Sequence, residues 1–493
     1  MSQPPPADGS ANDSVDAPAH VLRNSSDADR QRIDAAAESQ GASSPKVDNR
    51  RKFIRGSSLL IASALPAAGL AAATGMASAT ASPTRLSTGS DHSPDGGALT
   101  TAGPREIKLG VIGCGFRGTH VSGSLLASQS AQLRWHLTAV ADAFPDRMQQ
   151  ALRGLKGRFP QQVAVDSHAR CVGVDGFRQL LERDVEVVIL ATPPAFRPEH
   201  FEAAVASGKH VYAEKPIAVD IEGVRRFQAA NRLAIERGLV VSVGWPRHQQ
   251  AGFEATLEQL REGAIGRIVT AYAFQNVRPP APLTNGKGHS PRDAQLRNWV
   301  HCNWTHHNWA GGGPWLEPQV HNLDTMNRLL GAHPLAARPA ACAKFRGIAE
   351  LQGFRNGTPA SVDSGGHQPI EFLYAGGISL VSYCQLVDSA QRAKRVLTVH
   401  GTEGHCDLIE GKIFDSAGRL AWRASESAQQ NTSECADQVA AASGCGQFDE
   451  LIAALSDGGE LNQAALAVEA TLTAILGRTA SSKAQRVEWA EVA

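Results

Sequence analysis

The chain has 493 residues, more than one hydrophobic core usually organises, so two folded domains with non-globular ends are expected. Lys plus Arg and Asp plus Glu both number 48, which leaves no basic excess for nucleic acid and no acidic excess for a solvating role; a small neutral ligand is the default partner. The eight cysteines are scattered without the spacing of a structural zinc site; Cys435 and Cys445 are a possible pair, and most of the others read as core filler.

Residues 1–49 are rich in Ser, Ala, Asp and Pro, lack a periodic apolar face and read as disordered. Asn49-Arg50-Arg51-Lys52-Phe53-Ile54-Arg55 follows, then a weakly apolar run from Leu59 to Ala73 and the small-residue site Ala77-Ser78-Ala79. This stretch, 50–82, resembles a twin-arginine export signal, which implies a periplasmic or otherwise exported protein without a membrane anchor after export. A membrane helix is the competing reading, but the run holds Pro66 and Gly69 and falls short of the roughly 20 strongly apolar residues a span needs. Residues 83–104, full of Ser, Thr, Gly and Pro, read as a linker.

From 105 to 245 the pattern is that of a doubly wound parallel sheet. The strand Ile107 to Ile112 runs into Gly113-Cys114-Gly115-Phe116-Arg117-Gly118 and a helix. Gly113 permits a tight turn, Gly115 lets backbone approach a pyrophosphate, and Gly118 lets the helix sit close to the strand; Phe116 and Arg117 share the turn. A second strand, Leu137 to Ala141, ends at Asp142, where an acid accepts the ribose hydroxyls of NAD and repels the 2′-phosphate of NADP. A solvated strand-end carboxylate is the plain alternative. The strand from Val185 to Leu190 opens into Ala191-Thr192-Pro193-Pro194, a helix from Pro198 through Ala206, and a strand His210-Val211-Tyr212-Ala213 that ends at Glu214-Lys215-Pro216. Such strand ends are where parallel sheets bind ligand; Thr192, Pro193, Glu214 and Lys215 are placed beside the cofactor, and Lys215 is suited to polarise a reacting carbonyl or alcohol.

The Glu214-Lys215-Pro216 triplet after Gly208-Lys209-His210-Val211 resembles the signature of the glucose-fructose oxidoreductase and inositol dehydrogenase (Gfo/Idh/MocA) family, and the resemblance runs from about Glu106 to the C-terminus. It implies that Lys215 lies beside the nicotinamide and that a second-domain histidine is the acid/base. Gly311 to Asp324 resembles the family's helix motif and supplies His321; Glu317 stands where many family dehydrogenases carry Asp, four residues earlier, so that both side chains share a helix face. His321 then takes the hydroxyl proton, Lys215 holds the oxygen, and Glu317 orients the histidine or binds another hydroxyl. A structural histidine paired with Asp324 or Glu317 is the competing reading.

Residues 246–493 are read as an α/β domain with a largely antiparallel open sheet. In Gly244-Trp245-Pro246-Arg247, Arg247 serves either substrate or a structural ion pair, and a helix follows from about Gln250 to Glu262. Asn298 to Trp309 concentrates aromatic and polar groups; Trp299 and Trp309 are candidate stacking faces for a sugar, with Asp324 as a further substrate contact, and packing of these indoles at the domain interface is the plain alternative. A metal site of His301, His306, His307 and His321 matches no common spacing, and none is expected. Strands are expected at Arg267 to Gln275, Pro369 to Tyr374, Ile378 to Gln385 and Arg395 to His400, with a hairpin turn at Gly376-Gly377, and a closing helix over Leu461 to Arg478. The resemblance implies that this sheet forms a dimer or tetramer. Two functions stand: an exported NAD-dependent oxidoreductase of sugars or polyols with a retained cofactor, or a glycoside hydrolase or lyase that oxidises its sugar transiently. A non-catalytic cofactor- or sugar-binding protein is disfavoured by the presence of both Lys215 and His321.

Overall fold

A computed structural model describes residues 103–128, 130, 132–277, 304–340, 369–386, 395–425 and 448–493. The leader, the export signal, most of the linker, Trp299, His301 and the Cys435/Cys445 pair lie outside them. Residues 97–493 form one compact unit that contains two sheets.

The first sheet is built from β1 (Arg105–Ile112), β2 (Leu133–Asp142), β3 (Arg170–Val172), β4 (Val187–Leu190), β5 (His210–Ala213) and β6 (Val241–Val243). All pairings are parallel in the order β3-β2-β1-β4-β5-β6, the doubly wound dinucleotide-binding arrangement. Helices cover both faces, so a central strand such as β4 is buried at every residue, with no polar alternation. The helices are α1 (Phe116–Ala127), α2 (Pro145–Arg158), α3 (Gly176–Leu181), α4 (Arg197–Ala206) and α5 (Ile221–Glu236). In α5, Asp220 caps the first turn by accepting from Gly223 N at 2.7 Å, and Val224, Phe227, Ala230 and Ala234 form the buried stripe. Phe227 stacks on Phe201 of α4 with ring centroids 3.8 Å apart, which locks the helix pair over the sheet.

After α6 (Ala251–Arg261), the second sheet comprises β7 (Ile268–Val277), β8 (Ala336–Pro339), β9 (Ile370–Leu373), β10 (Ser379–Leu386), β11 (Arg395–Gly401), β12 (Gly404–Asp407), β13 (Lys412–Asp415), β14 (Leu420–Arg423) and β15 (Val487–Glu488). Its order is β14-β13-β12-β11-β7-β10-β9-β8-β15, antiparallel except for the central β7–β10 pair. Between β7 and β8 lie the short helices α7 (Asn308–Gly311) and α8 (Gly313–Leu316), then α9 (Val320–Leu330).

The C-terminal chain ties both sheets together. Phe448 and α10 (Asp449–Asp457) bury Leu451 and Leu455 in the same cluster as Leu109, Val187 and Tyr212 of the first sheet. Leu461 and Gln463 then cap the edge strand β6: Val241 N donates to Leu461 O at 2.8 Å and Val243 N to the Gln463 side chain at 2.8 Å. An edge strand left open is a pairing hazard, and this segment closes it. Residues after 246 therefore serve the first sheet as well as the second. The closing helix α11 runs from Ala464 to Lys483, later at both ends than its apolar pattern predicts, and Asn462 Oδ1 accepts from Ala464 N at 3.1 Å in the turn that leads into it. Gly477 lets α11 lie on the second sheet, since a Cβ there would stand 2.5 Å from the Phe372 ring.

Candidate active site

The turn from β1 into α1 is set by backbone geometry. Gly113 has φ +99°, and a side chain there would meet the Ala191 carbonyl at 2.8 Å; a Cβ on Gly118 would stand 1.9 Å from Gly113 O. At Gly115, by contrast, a Cβ would meet nothing within 4 Å, and this residue caps α1 with no side chain bonded to the first turn and no acid within it. Unsatisfied amides of α1 and open space thus coincide, as an anion site needs. Gly113, Gly115, Phe116, Arg117 and Asp142 line one cavity of about 1020 Å³; Gly118 is not among its lining residues and serves the packing of helix on strand.

Asp142 closes β2 beside this turn. Its Oδ2 accepts from Cys114 N at 2.7 Å and its Oδ1 from Phe144 N at 2.8 Å, so the carboxylate is fixed in place with lone pairs left for a diol. Burial pushes its pKa up, against the pull of the two backbone N–H groups. These features fit a dinucleotide: amides for the pyrophosphate, and a fixed carboxylate one strand away for a ribose.

Further along the cavity, Thr192 and Pro193 follow β4. Thr192 is already engaged: its hydroxyl meets His200 Nδ1 at 2.9 Å and its carbonyl accepts from Arg197. Glu214 is buried and accepts from Arg117 Nη2 at 2.5 Å and Nε at 3.2 Å, so its place in the cavity wall is that of an anchor for the arginine of the glycine turn.

Lys215 comes next, joined to Pro216 by a cis peptide bond. Its Nζ donates to Glu317 O at 2.8 Å and to Glu317 Oε1 at 3.0 Å. Glu317 and His321 do not share one helix. Glu317 follows the last residue of α8 and forms a turn with Pro318 and Gln319, and α9 starts at Val320; Pro318 has no N–H to extend the helical ladder. Glu317 is thereby directed to Lys215, while His321 lines the cavity from the first turn of α9. Burial, and then the charges of Lys215, Arg247, Arg395 and Arg117, hold the His321 pKa well below the usual histidine range. Its imidazole is neutral at neutral pH and able to accept a proton.

Arg247 lines the cavity and also steadies α9: its Nη1 donates to Asn322 Oδ1 at 2.8 Å, His321 O at 3.3 Å and Thr325 Oγ1 at 3.4 Å. No carboxylate among the described residues pairs with it, so the ion-pair reading of its sequence position gives way to a brace between neutral oxygens. Asp324 is absent from the cavity wall. It is buried, with His248 Nε2 at 2.7 Å from its Oδ2, and His248 in turn stacks on Trp245. Trp309 is 52% exposed, packs edge-on to Phe196 at 6.2 Å, and is also outside the lining; among the described residues Trp304 is the indole that lines it. Among the lining residues that the sequence reading did not single out are Gln275 of β7 and Arg395 of β11, which face each other in the sheet register. Their signal was a polar residue in an inward-pointing series, Ala271-Ala273-Gln275 and Val399-Leu397-Arg395.

Comparison with known proteins adds to this geometry. Residues 107–245 match the family model described as "Oxidoreductase family, NAD-binding Rossmann fold" (GFO_IDH_MocA). The 1,5-anhydro-D-fructose reductase of Ensifer adhaerens is 28% identical over 225 residues, 45% of this chain and 56% of that protein. An inositol 2-dehydrogenase of Klebsiella pneumoniae is 31% identical over 161 residues, 32% of this chain and 43% of its own length. The chain thus spans about half the length of the curated relatives it matches. Among solved structures, levoglucosan dehydrogenase in complex with NADH and levoglucosan superposes with TM-score 0.56 at 19% identity, covering 78% of this chain and 99% of that one. The apo scyllo-inositol dehydrogenase of Lactobacillus casei gives TM-score 0.55 at 15% identity, covering 79% and 100%. Both likenesses concern the fold. Residues 107–245 thus carry an NAD-binding Rossmann fold similar to the one that this family model describes.

Proposed function

We propose that the protein is an oxidoreductase that uses NAD to interconvert a secondary alcohol and a ketone on a sugar or polyol. The observation that carries this reading is the meeting of Lys215, Glu317 and His321 at one end of the cavity whose other end is the glycine turn and Asp142. Bound there, NAD supplies the hydride acceptor. The amides of α1 hold its pyrophosphate and Asp142 its ribose hydroxyls, which favours NAD over NADP.

The chain's own groups handle the proton. Lys215 commits two of its N–H donors to Glu317 and keeps the third for the substrate's hydroxyl oxygen. His321, neutral by burial and by its cationic neighbours, accepts the hydroxyl proton on an imidazole nitrogen as the carbon is oxidised, and returns it in the reverse direction. Glu317 acts through Lys215, keeping the ammonium in place.

The Arg50-Arg51 segment and Ala77-Ser78-Ala79 support an extension of the proposal: export of the folded protein by the twin-arginine route with the cofactor loaded beforehand and retained. The test is to purify the mature protein without added nucleotide, denature a portion and identify what is released, then add sugars and polyols to the native portion. Released NAD and substrate-dependent appearance of reduced nicotinamide are expected. Absence of nucleotide, with none taken up on addition, contradicts the proposal; steady turnover of a glycoside without net reduction points instead to transient oxidation.

A further inference from the structure

An acid/base histidine is ordinarily oriented by a hydrogen bond to one of its ring nitrogens. The two carboxylates nearest His321 in sequence are both engaged elsewhere: Glu317 with Lys215, and Asp324 with His248. Among the described residues, the ring that adjoins the His321 imidazole is the indole of Trp245, with centroids 5.7 Å apart and planes at 82°, the edge-to-face arrangement that aromatic rings prefer.

Trp245 is itself locked in place. It is buried, is not among the lining residues of the cavity, and stacks on His248 with centroids 5.5 Å apart and planes 14° from parallel. The side chains of His248 and Asp324 are only 6% and 4% exposed, so water does not compete for the bond that fixes the stack. The same short segment grips the main chain of His321, whose carbonyl accepts from Arg247 Nη1 at 3.3 Å. This segment leaves β6, and β6 pairs with β5, the strand that leads into Lys215. Residues 245–248 therefore tie the first turn of α9 to the sheet that carries the lysine.

We infer that Trp245 is a positioning residue of the proton transfer: its indole, held by the buried His248–Asp324 pair, sets the plane of the His321 imidazole relative to Lys215. Both groups must meet one substrate hydroxyl, and misplacing a reacting group by about 1 Å costs on the order of 10²-fold in rate. Asp324 acts at one remove, through His248, and touches no substrate. This inference rests on the oxidoreductase reading, because that reading makes His321 the proton acceptor.

A residue that acts only through His321 loses its effect once His321 is gone, so the test is a double-mutant cycle on the full-length, NAD-loaded protein. The probe is D-glucose, D-galactose or myo-inositol, whichever reduces the bound NAD of wild type fastest, and the single-turnover rate is measured. Trp245→Leu is expected to lower this rate about tenfold or more, with partial recovery in Trp245→Phe, and Asp324→Asn to lower it about threefold or more. In the His321→Asn background each should change it by less than about twofold, and NAD dissociation constants should stay near that of wild type throughout. In protein labelled with carbon-13 histidine, the His321 ring signal, identified by its loss in His321→Asn, should move in Trp245→Phe and in Asp324→Asn. Asp324→Asn, which keeps the shape of the carboxylate, decides the case if the tryptophan variants fold poorly. Equal fractional losses in both backgrounds, unchanged rates, or an unmoved His321 signal overturns the inference. Failure of the oxidoreductase reading is distinguishable, since it shows in wild type as absence of NAD binding or of reduction by all three probes, and it takes the inference with it.

Discussion

The two ends of the cavity are built in opposite ways. At the glycine turn, contiguous residues 113–118 and one strand-end carboxylate make the site, and most of its recognition comes from backbone amides. At the far end, Lys215, Arg247, Gln275, Glu317, His321 and Arg395 arrive from both sheets and from the turn before α9, and all of the chemistry sits in side chains. A backbone-made site tolerates side-chain change but not a change of shape; a side-chain-made site keeps its shape and loses function one group at a time. The substitutions below separate these behaviours.

The largest effect is expected at the far end. His321→Asn keeps a small polar side chain and removes the proton acceptor, and should lower kcat by about 10²- to 10⁴-fold while the NAD dissociation constant stays near that of wild type. A parallel loss of NAD binding, measured by fluorescence titration, would merge the two ends into one unit and break the comparison. Asp142→Ala is the reciprocal case: loss of a charged acceptor should weaken NAD by about 10- to 100-fold, leaving the rate at saturating NAD nearly intact. Equal affinities for NAD and NADP in wild type would count against the ribose role of Asp142.

Glu317→Gln should be milder. The main-chain carbonyl of residue 317 still accepts from Lys215, but the carboxylate is gone, so kcat/KM should fall about tenfold, with partial recovery in Glu317→Asp. An unchanged kcat/KM would remove Glu317 from the account. The smallest effect concerns stability at the wall between the two ends. His200 is buried beside Thr192, and burial, then Arg197, lowers its pKa from 6.5 to about 4. The unfolded imidazole takes up a proton as pH falls through 6.5 and the folded one only near 4, so stability is lost on acidification across that window, by on the order of 3 kcal/mol in all. In His200→Gln, denaturant midpoints measured between these pH values should fall less steeply with acid than in wild type.

The contrast between the ends also explains what was legible in the sequence. A glycine turn is local: Gly113 needs positive φ and Gly118 needs to lack a Cβ, and both demands fall within six residues, so the first sheet and its anion-facing turn could be read directly. Lys215 and His321 were reachable through motif resemblance. The relation of Glu317 to His321 was misread because i, i+4 spacing was taken as one helix across Pro318, where the chain instead breaks and turns the carboxylate to Lys215. Asp324 and Trp309 were chosen for chemistry alone, and packing gave the first to His248 and the second to Phe196. Gln275 and Arg395 were missed because only the register of β7 with β11 brings them together, and pairing of strands more than a hundred residues apart has no local signal.

The central claim is that a neutral His321 takes the substrate proton, and the pH dependence of hydride transfer tests it most directly. NAD-loaded protein is mixed with a substrate that reduces the cofactor, and the single-turnover rate is followed across pH in wild type and in His321→Asn. The account predicts a rate that rises with pH and reaches its plateau with a midpoint below the usual histidine value of 6.5, because the folded imidazole sheds its proton early, and a variant that lacks this limb. A midpoint at or above 6.5, or the same limb in His321→Asn, would contradict it.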